Sequence, residues 1–222
     1  MKQLLILLML MLTLAPAVPA QETHHPGHDD DATIHHRFEN PESWAARFED
    51  PGRDAWQLPD SVVAALVDRD DLVIADIGSA TGYFPVRFAR ACPRGMVIGS
   101  DIEPGMVQYL NDRARHEDLP NLVSVLAAPD DPHLPRPADL VFICDTYHHI
   151  DNRLDYFGRL LTQLVPGGRV AVVDYKPESA MGPPHKLAPG IVEEELTKAG
   201  YVLEARHHML PEQYFLVFRA PR

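Results

Sequence analysis

The chain has few cysteines, little positive charge and, past its first residues, no long apolar run. Only Cys92 and Cys144 occur in 222 residues, and neither lies in a C-x-x-C or C-x-x-x-H spacing, so a structural zinc site is not indicated. Lys and Arg number 20 against 32 Asp and Glu, a net charge of −12. Such an excess repels phosphate backbones and anionic lipid surfaces, which leaves a small molecule as the expected partner and excludes nucleic acid. The sequence also lacks the dinucleotide spacing G-x-G-x-x-G and the phosphate-gripping G-x-x-x-x-G-K-S/T.

What is present begins with MKQLLILLMLMLTLAPAVPA. Lys2, an apolar stretch of about 15 residues and small residues at Ala17 and Ala20 have the order of an export signal. The stretch is shorter than the roughly 20 residues a membrane-spanning helix needs. The expectation is a signal peptide over 1–20 and a periplasmic or secreted protein with no stable membrane insertion after cleavage; an N-terminal membrane anchor is the alternative. Residues 21–36, QETHHPGHDDDATIHH, read as a disordered tail whose imidazoles and carboxylates could meet a transition metal, though no fixed ligand geometry is apparent and no metal site is assigned. Residues 37–58 place Trp44 and Phe48 four apart, on one face of a short helix stopped by Pro51-Gly52, and read as an amphipathic lid.

From residue 59 to 222 the chain has the length of one α/β domain. A helix starts at Pro59-Asp60-Ser61, with Val62, Val63, Leu66 and Val67 apolar. Strands are then expected at 72–78, 96–102, 121–128, 138–146 and 169–175, with helices at 82–91, 104–116, 152–165 and 189–199, and a turn at Pro166-Gly167-Gly168. Strands at 201–209 and 213–219 close the chain. Alternation of strand and helix implies right-handed crossovers and a doubly wound, mostly parallel sheet; two strands after the last helix imply an antiparallel hairpin.

The loop DIGSATG (76–82) follows a strand and opens a helix. Gly78 and Gly82 permit a sharp turn and a close backbone approach, and the helix start offers free N–H groups. The spacing is D-x-G-x-x-x-G, better suited to a ligand bearing a carboxylate and an amine than to a phosphate. Asp101 ends the second strand, where a carboxylate can take both hydroxyls of a ribose; capping the helix that begins near Pro104 is its other possible role. Asp145, Tyr147, His148 and His149 stand where the fourth strand ends, and either histidine could take a proton near neutral pH. His185 and Lys186, in MGPPHKLAPG (181–190), are possible substrate contacts or part of a stiff surface loop.

At these residues the chain resembles the class I S-adenosylmethionine-dependent methyltransferases. The resemblance rests on Asp76, Gly78, Ala80 and Gly82, then Asp101, ADLVFICDTYHHI after the fourth strand position, and LVPGGRVAVVDY at the fifth. It covers about residues 60–220 and looks closest to the small-molecule, ubiquinone/menaquinone C-methylating type. It implies a seven-stranded sheet in the order 3-2-1-4-5-7-6 and S-adenosylmethionine as cofactor. The methionine moiety is then expected against Asp76, Gly78, Ser79, Ala80 and Gly82, and the adenosine against Asp101 and Ile102, with Asp130 or Asp131 near the adenine amine. Asp145, Tyr147 and His148 are the candidate catalytic residues. Methyl transfer by in-line attack asks mainly for positioning, and for a base only if the nucleophile must lose a proton. A non-catalytic ligand- or metal-binding protein of the same fold is the alternative. The same topology puts Cys92 and Cys144 at opposite ends of the sheet, too far apart to bridge.

Overall fold

The computed structural model describes residues 40–222. The expected signal peptide and His-rich tail lie outside the described residues, as does the start of the lid. The chain begins with α1 (Pro41–Phe48), a single 3-10 turn at Pro51–Arg53, α2 (Asp54–Gln57) and α3 (Pro59–Leu66). Asn40 caps α1 by accepting from the Ser43 N–H, and prolines occupy the first turns of α1 and α3, where a missing N–H costs nothing. Trp44 stacks on Phe48 with ring centroids 5.5 Å apart, the i, i+4 contact expected of the lid.

There follow β1 (Val73–Ile77), α4 (Pro85–Ala91), β2 (Met96–Asp101), α5 (Pro104–His116), β3 (Leu122–Leu126) and β4 (Ala138–Cys144). The chain ends with α6 (Arg153–Leu160), β5 (Leu164–Tyr175), α7 (Pro189–Lys198), β6 (Val202–His207) and β7 (Gln213–Arg219). The seven strands form one sheet in the order β3-β2-β1-β4-β5-β7-β6. β1 to β5 are parallel, and β7 runs antiparallel to both β5 and β6. The fold class and strand order are those expected.

Strand alternation divides the core between the two faces of the sheet. Val73, Ala75 and Ile77 of β1, Val141 and Ile143 of β4, and Val170 and Val172 of β5 pack against Phe157 and Leu160 of α6 and Val192 and Leu196 of α7. Ile74, Leu140, Phe142, Ala171 and Val173 face α3, α4 and α5 instead. On that side Phe84, Phe88 and Phe142 interlock at centroid distances of 4.6–6.2 Å. Each such side chain contributes about 1.5–3 kcal/mol by leaving water. Because β1 is buried on both faces, its sequence is a continuous apolar run interrupted only by Asp76.

Two local expectations are corrected. The helix expected from Gly82 begins at Pro85, because residues 78–84 form the loop that the site uses. Pro166-Gly167-Gly168 is not a turn but part of β5. The C-terminal tail supplies its partners: the Gly167 N–H donates to the Pro221 carbonyl and the Gly168 carbonyl accepts from Ala220. A register irregularity opposite Ala138 and Leu140 absorbs the misfit. No described helix is long and apolar enough to cross a membrane. Cys92 and Cys144 are both free thiols.

Candidate active site at the carboxyl ends of β1, β2, β4 and β5

The glycine loop leaves β1 at Ile77 and doubles back over the sheet end. Gly78 has φ +75° and Gly82 φ +98°, and a Cβ at Gly78 would collide with the side chain of Thr146 beyond β4. The loop therefore needs glycine there for two reasons, backbone sign and space. Ala80 also adopts the left-handed region, φ +44°, held there as its N–H donates to Asp101 Oδ2 at 2.8 Å. The other Asp101 oxygen accepts from the Glu103 N–H at 2.9 Å. Asp101 thus ties the two nucleotide-type loops together without capping α5 by its side chain, since the α5 N-cap is Glu103.

Buried carboxyl groups gather at this end. Burial, with the Asp101 charge adding, pushes Asp76 above the usual carboxylate range, and Arg53 opposes the rise. Asp101 is likewise raised by burial, the neighbouring Glu103 adding, against the backbone N–H groups that favour its charged form. Asp145, φ +54°, is pushed up to about 6 by burial and by Asp174, again against Arg53. Asp145 is embraced by two amides: Gln213 Nε2 donates to Oδ1 at 2.5 Å and Gln57 Nε2 to Oδ2 at 3.3 Å, while Gln57 also donates to Gln213 at 2.8 Å. Arg53 lies 3.8 Å from Asp145 and stacks over the Tyr83 ring at 4.0 Å. The lid is pinned at its other end by Glu49, which accepts from the Thr81 hydroxyl of the glycine loop and pairs with Arg113, both at 2.7 Å.

Further along, His148 Nδ1 meets Asp174 Oδ2 at 2.9 Å, with both side chains almost sealed from solvent. Tyr147 does not line the cleft. Fully buried, it stacks on Phe157, and its hydroxyl donates to Glu195, which also pairs with Arg153. Asp130 does not close over the loop either, but pairs with Arg159 on the surface. The neighbouring Asp131 accepts from the His133 N–H and Gln163 instead. His185 is exposed on its loop, which folds back so that Gly182 abuts the Tyr175 ring. Tyr175 in turn meets Trp56 of the lid at 5.9 Å.

The structure brings Asp76, Gly78, Ser79, Ala80, Gly82, Asp101 and Asp145 to one end of the sheet. Sequence reasoning missed Arg53, Gln57, Asp174 and Gln213, which reach it from the 3-10 turn, α2, β5 and β7. Asp174 and Gln213 are single polar residues at the ends of apolar strands, and Arg53 and Gln57 lie among other polar residues in PGRDAWQLPD, so nothing in the sequence singles them out. Among the described residues no cluster of three metal-ligating side chains occurs.

These surroundings fit a cationic, amino-acid-like nucleoside. The Ser79 hydroxyl is buried without a partner, against Gly99 of β2. Ile102 and Leu126 are half exposed on either side of the Asp101 strand end, offering a flat apolar base two surfaces. Several buried carboxyl groups suit an ammonium and a sulfonium, and Arg53 suits a carboxylate.

The fold is that of the Rossmann-like methyltransferases. A methyltransferase from Aquifex aeolicus described as S-adenosylmethionine-dependent superposes with a TM-score of 0.74 at 20% identity, over 81% of this chain and 98% of that one. The magnesium protoporphyrin IX methyltransferase of Synechocystis, solved with bound S-adenosylhomocysteine, gives 0.63 at 17% identity, over 81% and 93%. Residues 74–168 match the family described as a methyltransferase domain. In sequence the chain is 31% identical over 145 residues to the 27-O-demethylrifamycin SV methyltransferase of Amycolatopsis mediterranei, covering 64% of this chain and 51% of that one. It is 28% identical over 98 residues to the malonyl-[acyl-carrier protein] O-methyltransferase 1 of Ilyobacter polytropus, covering 44% and 36%. The chain therefore spans about half the length, or less, of these curated relatives. Over residues 74–168 the chain carries a methyltransferase domain, on a fold it shares with S-adenosylmethionine-dependent methyltransferases.

Proposed function

We propose that the chain is an enzyme that transfers a methyl group from S-adenosylmethionine to a small-molecule acceptor. The observation that carries this is the loop between β1 and α4, whose left-handed Ala80 is tied through its N–H to Asp101 at an acid-lined sheet end. When bound, the cofactor supplies an electrophilic methyl carbon on a sulfonium. Asp76, Gly78, Ser79, Ala80 and Gly82 hold its amino-acid portion, with Arg53 placed to take the carboxylate. Asp101 and Ile102 hold the ribose and base. Asp145, locked by Gln57 and Gln213, orients the reacting end, and the lid from α1 to α2 keeps water out. Net charge argues for a small, non-polyanionic acceptor.

Calorimetric titration of the full chain with S-adenosylmethionine and S-adenosylhomocysteine tests this. Micromolar binding lost in Asp101→Ala supports it; no binding at millimolar ligand by a folded protein rejects it.

The twenty N-terminal residues support export to the periplasm or beyond. Sequencing the N-terminus of the natively expressed protein tests that: a start at Val18 or Gln21 supports export with cleavage, and retention of Met1 or Lys2 contradicts it.

A further inference from the structure

We propose that residues 40–57 form a lid hinged at Leu58 and latched by Gln57 and Arg53 on Asp145, and that this latch grips in mild acid and loosens toward neutral pH. The inference concerns the cofactor-free chain and goes beyond the methyltransferase reading above.

The hinge is a point of strain. Leu58 joins α2 to α3 in the left-handed conformation, φ +45° and ψ +53°. An L-residue with a side chain rarely adopts it, and the Pro59 that follows favours extended backbone at Leu58 instead. Beyond the hinge, Val62 and Leu66 anchor α3 in the core. Lifting the lid would let Leu58 relax, so the closed position needs something to hold α2 down.

The hold is a chain of side-chain bonds. The Arg53 guanidinium can only donate, so Gln57, whose carbonyl oxygen accepts from Arg53 Nε, turns its amide inward. That amide is shared among Gln213 Oε1 at 2.8 Å, Cys144 Sγ at 3.0 Å and Asp145 Oδ2 at 3.3 Å. Gln213 completes the chain, donating to Asp145 Oδ1 at 2.5 Å. Beside it the Trp56 ring meets Tyr175. Gln57 is fully buried although α2 has only 4 residues. Taking an amide out of water is costly unless its bonds are remade, and here every remade bond crosses from the lid turn or α2 to the sheet end or runs along the chain to it.

Opening changes the solvation of Asp145, and there pH enters. Closed, Asp145 shows 23% of its side chain to water; withdrawing Gln57 and Arg53 uncovers Oδ2. The groups around its carboxyl are Arg53 of the 3-10 turn, Gln57 of α2, Asp174 and Tyr175 of β5, Gln213 and Tyr214 of β7, His148 and Cys144, with Asp76 of β1 acting on that thiol. Burial is the largest influence and Asp174 adds to it; Arg53, the Gln57 amide and His148 pull the other way, and the carboxyl is pushed up to about 6. Once protonated it still offers lone pairs to both amides, so the latch survives. In the open lid it returns toward the ordinary value of about 3.9. The closed state therefore binds the proton more tightly. Its advantage is complete below the ordinary carboxylate range and lost as pH rises through about 6. The ratio of open to closed lid is expected to rise about tenfold from pH 5 to pH 7.

Hydrogen–deuterium exchange of the full, cofactor-free chain tests this, with rates corrected for the intrinsic pH dependence of amide exchange. The Leu58 N–H, which donates to Asp54 in a single turn that would not persist once released, reports the lid. The Val67 N–H, which donates to Val63, reports α3. Protection at Leu58 is expected to fall about tenfold from pH 5 to pH 7 while that at Val67 holds. Asp145→Asn, neutral throughout, is expected to remove the fall. Gln57→Ala, which spares Asp145, is expected to lose both the protection and its pH dependence, with Val67 showing that the domain is folded. The proposal is overturned if wild-type protection at Leu58 is flat or rises with pH, or if Gln57→Ala protects Leu58 as well as the wild type. It is equally overturned if the fall survives in Asp145→Asn, which would assign it to His148. Where Asp145→Asn does not fold, the wild-type profile and Gln57→Ala decide. Calorimetry with S-adenosylhomocysteine on the same samples separates the two readings, since absent binding strikes the methyltransferase reading and not the latch.

Discussion

The two halves of the proposed site, one for the cofactor and one for the acceptor, are assembled over different distances along the chain. The cofactor half is nearly local: Ala80 and Asp101, which lock the glycine loop, are 21 residues apart. The acceptor half is not, for Gln57 and Gln213, which together grip Asp145, are separated by 156 residues. Local assembly leaves a motif, because one strand, one turn and one helix must follow each other in fixed order. Distant assembly leaves none, because each contributing residue comes from a separate segment with no fixed spacing to the others. The halves also differ in backbone demand. The first depends on two glycines with positive φ, whereas the second depends on side-chain bonds among carboxyl, amide and imidazole groups.

The largest effect that can separate the halves is in turnover. If His148 serves as the base of the proposed methyl transfer, His148→Gln is expected to slow turnover by about 10²–10⁴-fold while calorimetric affinity for S-adenosylhomocysteine stays unchanged; a parallel loss of both would erase the distinction. Asp101→Asn strikes the other half. Removal of a charge-assisted hydrogen bond is worth about 1.5–3 kcal/mol, so cofactor dissociation constants should rise by roughly one to two orders of magnitude, read by the same titration.

Gly78→Ala tests the backbone demand. A side chain at positive φ costs about 1–2 kcal/mol, and the clash with Thr146 adds to it, so the urea midpoint should fall. An unchanged midpoint would show that the loop can relax. Linkage to pH sharpens the acceptor half. Asp145 and His148 both bind protons more tightly in the folded state. Asp145 therefore adds stability that is full below the unfolded carboxylate range and lost as pH rises to about 6. His148 adds stability present below its unfolded pKa and lost as pH rises through its higher folded value. The melting temperature of the cofactor-free protein should accordingly fall from pH 6.5 upward, and Asp174→Asn should flatten that slope in scanning calorimetry. The smallest effect belongs to Tyr214→Phe. Deleting a buried hydroxyl that has no partner should leave stability unchanged or raise it by about 1 kcal/mol, measured as a denaturant midpoint; a loss would reveal a bond the hydroxyl makes.

Much of the fold is legible in the residues. VIADI is buried on both faces and reads as a central parallel strand, and Pro104 and Pro189 mark helix starts where the structure has them. Pro166-Gly167-Gly168 misleads because its turn-forming residues are overruled by pairing with the C-terminal tail, a partner more than fifty positions away. Tyr147 misleads for a related reason. Its place next to His148 suggests the cleft, but the 3-10 turn at Tyr147–His149 points successive side chains in different directions, and Glu195 of α7 claims the hydroxyl. Asp130 follows the same pattern, drawn outward by Arg159.

By itself, then, the sequence determined the sheet, its alternation with helices, and the glycine loop with Asp101, because periodicity, glycine sign and strand-end carboxylates act over short stretches of chain. Only the tertiary structure decided that Arg53 and Gln57 close on Asp145, that Asp174 rather than a sequence neighbour holds His148, and that Tyr147 is withdrawn. Those choices depend on which strand ends lie side by side in the order 1-4-5-7, and burial there makes each polar partner count for more than it would in water.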